Sequence, residues 1–405
     1  MKNKSMHRWT ILLGTVIAQL GLGSIFTWSL FNQPLVDKYG WRLSEVAITF
    51  SITSFALAFA TLAAGRVQDN LGVRKLVSIA GLLLGIGLIA TSRVTSLSTL
   101  YITAGIIVGA ADGIAYITLI SNCIKWFPEK KGLISGISNG AYGIGSIIFN
   151  YVLESLINYK GVSEAFLYWG IIAMVLILAG AQLLKDAPVV TSSVKSGSDH
   201  EFSVVEMIKT KEAYTLFIVF FTACMSGLYL IGIVKDIGVQ LAGLNPTVAA
   251  NAVAMVAIFN TTGRILLGAL SDKVGRLKVV IFTLSLTMIA VFALSFVHLN
   301  FEIFSICVIL IAFSFGGNIT LFPPIIGEFF GLNKQMKNYG IIYQGFGFGA
   351  LSGLFIAAVT GGLRPTFLVI GGLTLVSIIL VSMIKPPKHT INVIDVKGCY
   401  NSSLS

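Results

Sequence analysis

The chain has 405 residues, of which 55% are hydrophobic and only 11% charged, and it carries a formal net charge of +11. A soluble protein would carry about a quarter charged residues, so a soluble globular fold is excluded. The apolar runs do not alternate as barrel strands do, and backbone groups in lipid must be bonded internally, which leaves an all-α membrane protein.

Twelve transmembrane spans are predicted in chain order, roughly at 9–31, 43–64, 76–92, 98–122, 133–155, 164–184, 214–236, 248–270, 277–297, 302–326, 339–361 and 364–384. Each approaches the ~20 apolar residues that cross a hydrocarbon core. The first follows a short basic leader, but it is too long for a signal-peptide core. No small-residue cleavage site precedes its Trp28-Ser29-Leu30-Phe31 end, so it is read as span 1. The loops are short except for 185–213, rich in Ser, Lys and Asp, with a flexible composition. The expected organisation is a six-helix half over 1–184, a linker over 185–213, a second six-helix half over 214–384, and a tail over 385–405.

Most of the 28 Lys and Arg fall in the termini and in alternate loops, near 66–75, 125–131, 185–211, 273–278 and 334–337. That asymmetry places both termini in the cytoplasm. The basic excess is therefore topological, with some attraction to anionic lipid, and does not indicate nucleic acid. The four cysteines have no paired spacing, and no metal cluster, nucleotide loop or nucleophile–base set is seen. Neither an enzyme nor a cofactor is indicated, and ATP-driven pumping is disfavoured.

The two halves repeat. Gly65-x-x-x-Asp69-x-x-Gly72-Val73-Arg74 follows span 2, and Gly268-x-x-x-Asp272-x-x-Gly275-Arg276 follows span 8, displaced by 203 residues. Tyr142-Gly-Ile-Gly in span 5 is echoed by Phe346-Gly-Phe-Gly in span 11, displaced by 204. Lys125-Trp126-Phe127 and Glu328-Phe329-Phe330 repeat at nearly the same offset. Duplicated bundles of this kind are a transporter design, with substrate held near the midplane.

The paired Gly-x-x-x-Asp-x-x-Gly loops resemble the signature loop of the major facilitator superfamily. Lys125-Trp-Phe-Pro-Glu-Lys-Lys-Gly132, Ala141-Tyr-Gly-Ile-Gly145 and Asn338-Tyr-Gly-Ile-Ile-Tyr343 are similar to the oxalate/formate antiporter family. GSIFTWSLF, ADGIAY, TACMSGLY and EFFGLN are similar to its enterobacterial, pyruvate-induced branch. The resemblance covers essentially the whole chain. It implies twelve helices in two pseudo-symmetric halves and a small monocarboxylate substrate of the lactate, pyruvate or formate class.

Two charges lie deep in apolar spans. Arg264 in span 8 stands one turn after Asn260 on the same face. A guanidinium matches a carboxylate with two parallel hydrogen bonds, and the resemblance implies that Arg264 is the substrate-carboxylate ligand. A structural ion pair, or snorkelling to a surface about 9 Å away, stands as the alternative. Asp112 in span 4 lies one turn before Tyr116. Burial disfavours the charged form of a carboxyl group, which suits proton coupling, although a static group that neutralises Arg264 or bonds a neighbouring helix also fits the sequence.

Where the oxalate-type pattern reads Tyr-Thr-Ala-Lys-Gly, this chain reads Tyr343-Gln344-Gly345-Phe346-Gly347. The resemblance makes that lysine a second cation for a dicarboxylate. With Phe346 in its place, one buried cation remains, which suits a monoanion, and Gln344 is a candidate for a keto or hydroxyl oxygen. The expected cavity also includes Phe26, Trp28, Tyr116, Tyr142, Tyr229, Phe315, Asn318 and Tyr343, although each aromatic taken singly also fits ordinary helix packing. Gly65, Asp69, Arg74, Gly268, Asp272 and Arg276 are read as gating residues that tie helix ends together. The expectation is a monomeric secondary transporter of a small carboxylate in a lipid bilayer, using protons or anion exchange. Drug efflux, or a carboxylate-sensing membrane protein, is the alternative.

Overall fold

The computed structural model describes residues 2–188 and 201–387. Most of the Ser-rich part of the expected linker, and nearly all of the expected tail, lie outside the described residues. Among the described residues, twelve helices are long and apolar enough to cross a membrane. In order they are α1 (Lys2–Leu22), α2 (Leu43–Leu71), α3 (Val73–Thr91), α4 (Leu97–Trp126), α5 (Lys131–Lys160), α6 (Val162–Gln182), α7 (Lys211–Gln240), α8 (Pro246–Val274), α9 (Arg276–Phe296), α10 (Phe301–Phe330), α11 (Gln335–Thr360) and α12 (Leu363–Met383). Several are longer than their apolar runs, because polar ends continue the helix past the hydrocarbon. Span 1 is not one helix: after Leu22 the chain tightens into a 3-10 turn at Gly23–Thr27 and then a short helix, Ser29–Tyr39. In α4, Tyr101–Ile107 is wound as a π-helix.

The ends follow local chemistry. Thr210 caps α7 by accepting from the Ala213 amide, and Asn300 caps α10 by accepting from the Ile303 amide. In the duplicated loops, Gly72 and Gly275 take positive φ values of 75° and 102°. A side chain there would be strained, so glycine separates α2 from α3 and α8 from α9 at equivalent places.

Large apolar side chains such as Ile86, Ile106, Val175, Ile289 and Phe355 are exposed around the bundle. A soluble protein would bury them; a bilayer covers them. Inside, polar residues are buried and bonded between helices, as in Gln19 to Ser138 and Ser377 to Thr222.

The first six helices meet the last six through α5 against α8 and α2 against α11. Gly132, Gly136, Gly140 and Gly143 form a smooth face on α5, each close to an atom of α8. Small residues at this spacing let two helix backbones approach in lipid, where side-chain burial gains little. Toward the end that carries the basic loops, further bonds join the halves. Lys125 Nζ donates to the Asn333 carbonyl at 2.9 Å, Ser135 Oγ donates to the Thr320 carbonyl at 2.6 Å, and Lys337 pairs with Asp69.

Candidate functional site

Arg264 lies ten residues before the end of α8 at Val274, about 15 Å at 1.5 Å per residue. It is 3% exposed. Its Nε donates to Asn260 Oδ1 at 2.8 Å, one turn back and away from the basic end. Nη1 donates to the Asn139 carbonyl of α5 at 3.0 Å, across the two halves. The side chain thus points opposite to the direction that snorkelling requires. The other alternative, an ion pair, is also absent among the described residues, where none of the salt bridges includes Arg264. The guanidinium lies 5.8 Å above the Tyr142 ring, a favourable cation–π distance.

Tyr142 links the two deep charges. Its ring faces Arg264, and its hydroxyl donates to Asp112 Oδ2 at 2.7 Å. Asp112 is fully buried and its other oxygen has no hydrogen-bond partner. It does not pair with Arg264, so its reading as a static counter-charge has no contact behind it, whereas the reading as a bond to a neighbouring helix matches its contact with Tyr142 of α5.

Aromatic rings close around these groups. Tyr116 packs on Tyr142 at 5.6 Å and on Tyr343 at 5.5 Å, and its hydroxyl donates to Asn139 Oδ1 at 2.9 Å. Phe26, in the 3-10 turn, packs edge-on against Tyr142 at 5.5 Å. Phe346 stacks on Tyr343 at 5.2 Å and is 2% exposed. The place where a second cation would stand in the oxalate-type pattern is therefore filled by a packed ring.

Glycine sets the position of Arg264. A methyl group on Gly316 of α10 would stand 2.0 Å from the Asn260 carbonyl oxygen and 3.2 Å from Arg264 Cγ. Gly316→Ala must therefore push α8 from α10. It is expected to destabilise the protein by about 1–3 kcal/mol, read as a lower melting temperature in detergent. An unchanged melting temperature would contradict this packing.

Five residues expected in the cavity are held elsewhere. Trp28 packs with Phe31 and Phe166 in an aromatic cluster between the Ser29–Tyr39 helix and α6. Tyr229 packs against Phe367 of α12 and over Gly353. Asn318 faces α9, where its Oδ1 accepts from Thr283 Oγ1 at 2.8 Å. Gln344 Nε2 donates to the Ala58 and Gly340 carbonyls, both at 2.8 Å, and so ties α11 to α2. Phe315 fills the space over Gly227. Each was expected in the cavity, but the packing turns its side chain to a neighbouring helix instead.

The expected gating residues form two unequal ties. Asp272 accepts from the Gly132 and Leu133 amides at 2.9 and 2.8 Å, capping the start of α5 across the halves, and pairs with Arg276 at 2.6 Å. Arg276 also pairs with Glu328. Asp69 pairs with Lys337 near the start of α11. Arg74 takes no part in that tie: its Nε donates to the Leu184 carbonyl at 3.3 Å, within the first half. Gly65 and Gly268 sit where neighbours come close, Gly65 against Lys337 and Gly268 against Gly132. Sequence reasoning missed Asn139, Lys337 and Glu328. The repeat offset held one clue, since Lys337 stands about 204 residues after Leu133, the residue opposite Asp272.

Comparison with known proteins agrees with this architecture. The profile of the Major Facilitator Superfamily matches twice, over 11–242 and 216–398. An uncharacterised MFS-type transporter, YhjX, of Escherichia coli (strain K12) is 43% identical over 86% of this chain and 87% of its own length. The oxalate:formate antiporter of Oxalobacter formigenes is 29% identical, over 83% of this chain and 81% of its own. Among solved structures, the human organic anion transporter MFSD10 superposes with a TM-score of 0.71 over 93% of this chain and 99% of its own, at 12% identity. With twelve spanning helices, a repeated signature loop and these relatives, the chain is a multi-pass membrane protein that belongs to the Major Facilitator Superfamily of transporters.

Proposed function

We propose that this protein is a secondary transporter of small monocarboxylates of the pyruvate, lactate or formate class, working by alternating access between its two halves. The observation that carries the reading is Arg264, a buried guanidinium with no carboxylate partner among the described residues. A buried cation is costly unless it is compensated, and a substrate carboxylate supplies the missing charge. The 29% identity to an oxalate:formate antiporter supports an anionic substrate.

In this reading Arg264 binds the carboxylate through the N–H groups left over once Nε is bonded to Asn260 and Nη1 to Asn139. Tyr116, Tyr142, Phe26, Tyr343 and Phe346 exclude water, which strengthens the charge pairing. Asp112, one oxygen bonded to Tyr142 and the other unpartnered, carries the proton. Because Arg264 bonds Asn139 across the halves, rocking the halves apart must break that bond, so the occupant of the site and the conformation are linked. The Asp272 and Asp69 ties latch the basic end, which faces the cytoplasm of the bacterial cell together with both termini. Drug efflux fits less well, since an apolar cargo leaves the guanidinium without compensation.

Uptake of radiolabelled pyruvate, lactate and formate into proteoliposomes, with unlabelled acids as competitors, tests the proposal. Saturable uptake of at least one is expected, and none for any small carboxylate would sink it. Charge number is tested separately. Phe346→Lys places a second cation beside the site, and it is expected to confer oxalate binding and weaken pyruvate binding by roughly 10-fold or more. A variant that still prefers pyruvate and ignores oxalate would remove Phe346 as the determinant.

A further inference from the structure

We propose that residues 201–207, which lead into α7, form a strap that holds the basic end closed, with Glu201 positioning Asn333 for a bond across the halves. The inference goes beyond the substrate reading and does not depend on which acid is carried. Glu201 Oε1 accepts from the Asn333 amide at 3.1 Å and from Asn333 Nδ2 at 3.0 Å, and Oε2 accepts from the Lys334 amide at 3.1 Å. The turn between α10 and α11 is shaped to receive that carboxylate. Gly331 takes a φ of 95°, and a methyl group on it would stand 2.4 Å from Glu201 Oε2. The next residue is fastened by its main chain. The Phe202 amide donates to the Phe330 carbonyl at 3.0 Å, the Phe202 carbonyl accepts from Asn338 Nδ2 at 3.0 Å, and the two phenylalanine rings pack at 5.7 Å.

Asn333 is therefore gripped from two sides. Glu201 takes its N–H groups, and Lys125 of the first half donates to its carbonyl at 2.9 Å. Among the described residues, none of the salt bridges includes Lys125. A carboxylate that accepts from two successive amides fixes how the turn is oriented, and so where the Asn333 carbonyl points. Both hydrogen bonds are charge-assisted, and they place opposite charges on the two sides of one residue. The start of the linker is fastened on the other side of this junction. Asn122 Nδ2 and Trp126 Nε1, which flank Lys125 in α4, donate to the Lys185 carbonyl at 3.0 and 3.2 Å, and the Ala187 amide donates to Asn122 Oδ1 at 3.0 Å. The repeat shows what is particular to the second half. In the first half Arg8 pairs with Glu129 of the α4–α5 loop and lies 5.0 Å over Phe127, the counterpart of Phe330 at an offset of 203. That clamp, with its charges reversed, stays within its own half, whereas the Glu201 clamp acts on a residue bonded to the other half.

The test is hydrogen–deuterium exchange of the purified full chain without substrate, for the parent protein, Glu201→Gln, Lys125→Met and the double variant. The readout is the peptide that holds the Gly132 and Leu133 amides. These bond to Asp272 of α8, so they exchange when the halves part at the basic end. Each single variant is expected to speed that exchange on the order of 10-fold, the size expected for losing a charge-assisted hydrogen bond. The double variant should exceed neither single variant, because both act on the one bond at Asn333. Faster exchange confined to 331–338 in Glu201→Gln, with Gly132 and Leu133 unchanged, would make Glu201 a brace of its own turn and overturn the proposal. Additive effects in the double variant would overturn it as well. Should Glu201→Gln fail to fold, Asn333→Ala removes one of the three bonds to the carboxylate and keeps the charge. Unchanged exchange at Gly132 and Leu133 in that variant would equally refute the strap.

Discussion

Arg264→Ala is expected to abolish saturable carboxylate binding, with affinity falling by roughly 10²- to 10³-fold. The size follows from the surroundings. The guanidinium is buried, carries no carboxylate partner among the described residues, and is held at Nε by Asn260 and at Nη1 by Asn139. Removing it leaves an anion in a low-dielectric chamber of tyrosines with no counter-charge. Arg264→Lys should recover only part of the loss. An ammonium is a compact point charge without the planar fork, so it cannot reach Asn260 Oδ1, the Asn139 carbonyl and a substrate in the same geometry. Full transport by Arg264→Ala in proteoliposomes would end the assignment. The melting temperature of the empty variant serves as the control for folding.

Asp112→Asn is expected to abolish accumulation driven by a pH gradient while sparing exchange of labelled for unlabelled substrate. Asparagine keeps an oxygen that can accept from the Tyr142 hydroxyl, so the contact at 2.7 Å and the ring under Arg264 can persist. What it cannot do is take up and release a proton. Accumulation and exchange, measured in the same vesicles, separate the two roles. If accumulation survives, Asp112 serves only to orient Tyr142. If both activities are lost with a lower melting temperature, its role is structural.

Much of the architecture was legible in the chain itself. Twelve spans follow from apolar run length, and the paired loops at Gly65–Arg74 and Gly268–Arg276 show the duplication. Arg264 and Asp112 also stand out by composition alone, because lipid-length segments rarely carry charge. Phe346 was equally visible as a departure from the oxalate-type pattern. These features are local, or they repeat at one fixed offset, so a linear reading can reach them.

The partners of those residues were not legible. Trp28, Tyr229, Asn318 and Gln344 were expected in the cavity, yet each packs toward a neighbouring helix. An α-helix turns about 100° per residue. Which face looks inward depends on the packing of all its neighbours, and nearly uniform apolar spans offer little polar contrast by which to read it. The same holds in part for the ties at the basic end. Asp272 keeps the nearby Arg276, as sequence proximity suggested, but also takes two backbone amides of α5, and Asp69 finds Lys337 instead of the nearby Arg74.

By itself, then, the sequence determined that the protein crosses a membrane twelve times, repeats its six-helix plan, and holds one arginine and one aspartate deep in apolar surroundings. Run length, charge placement and repeat offset are properties of the chain that survive without coordinates. Only the tertiary structure decided that Arg264 points away from the basic end, that Tyr142 rather than Asp112 faces it, and that Phe346 stacks on Tyr343 beside Tyr116. Those are relations between side chains on α4, α5, α8 and α11, far apart in the chain, and they come to exist only when the helices are packed in one rotation and register.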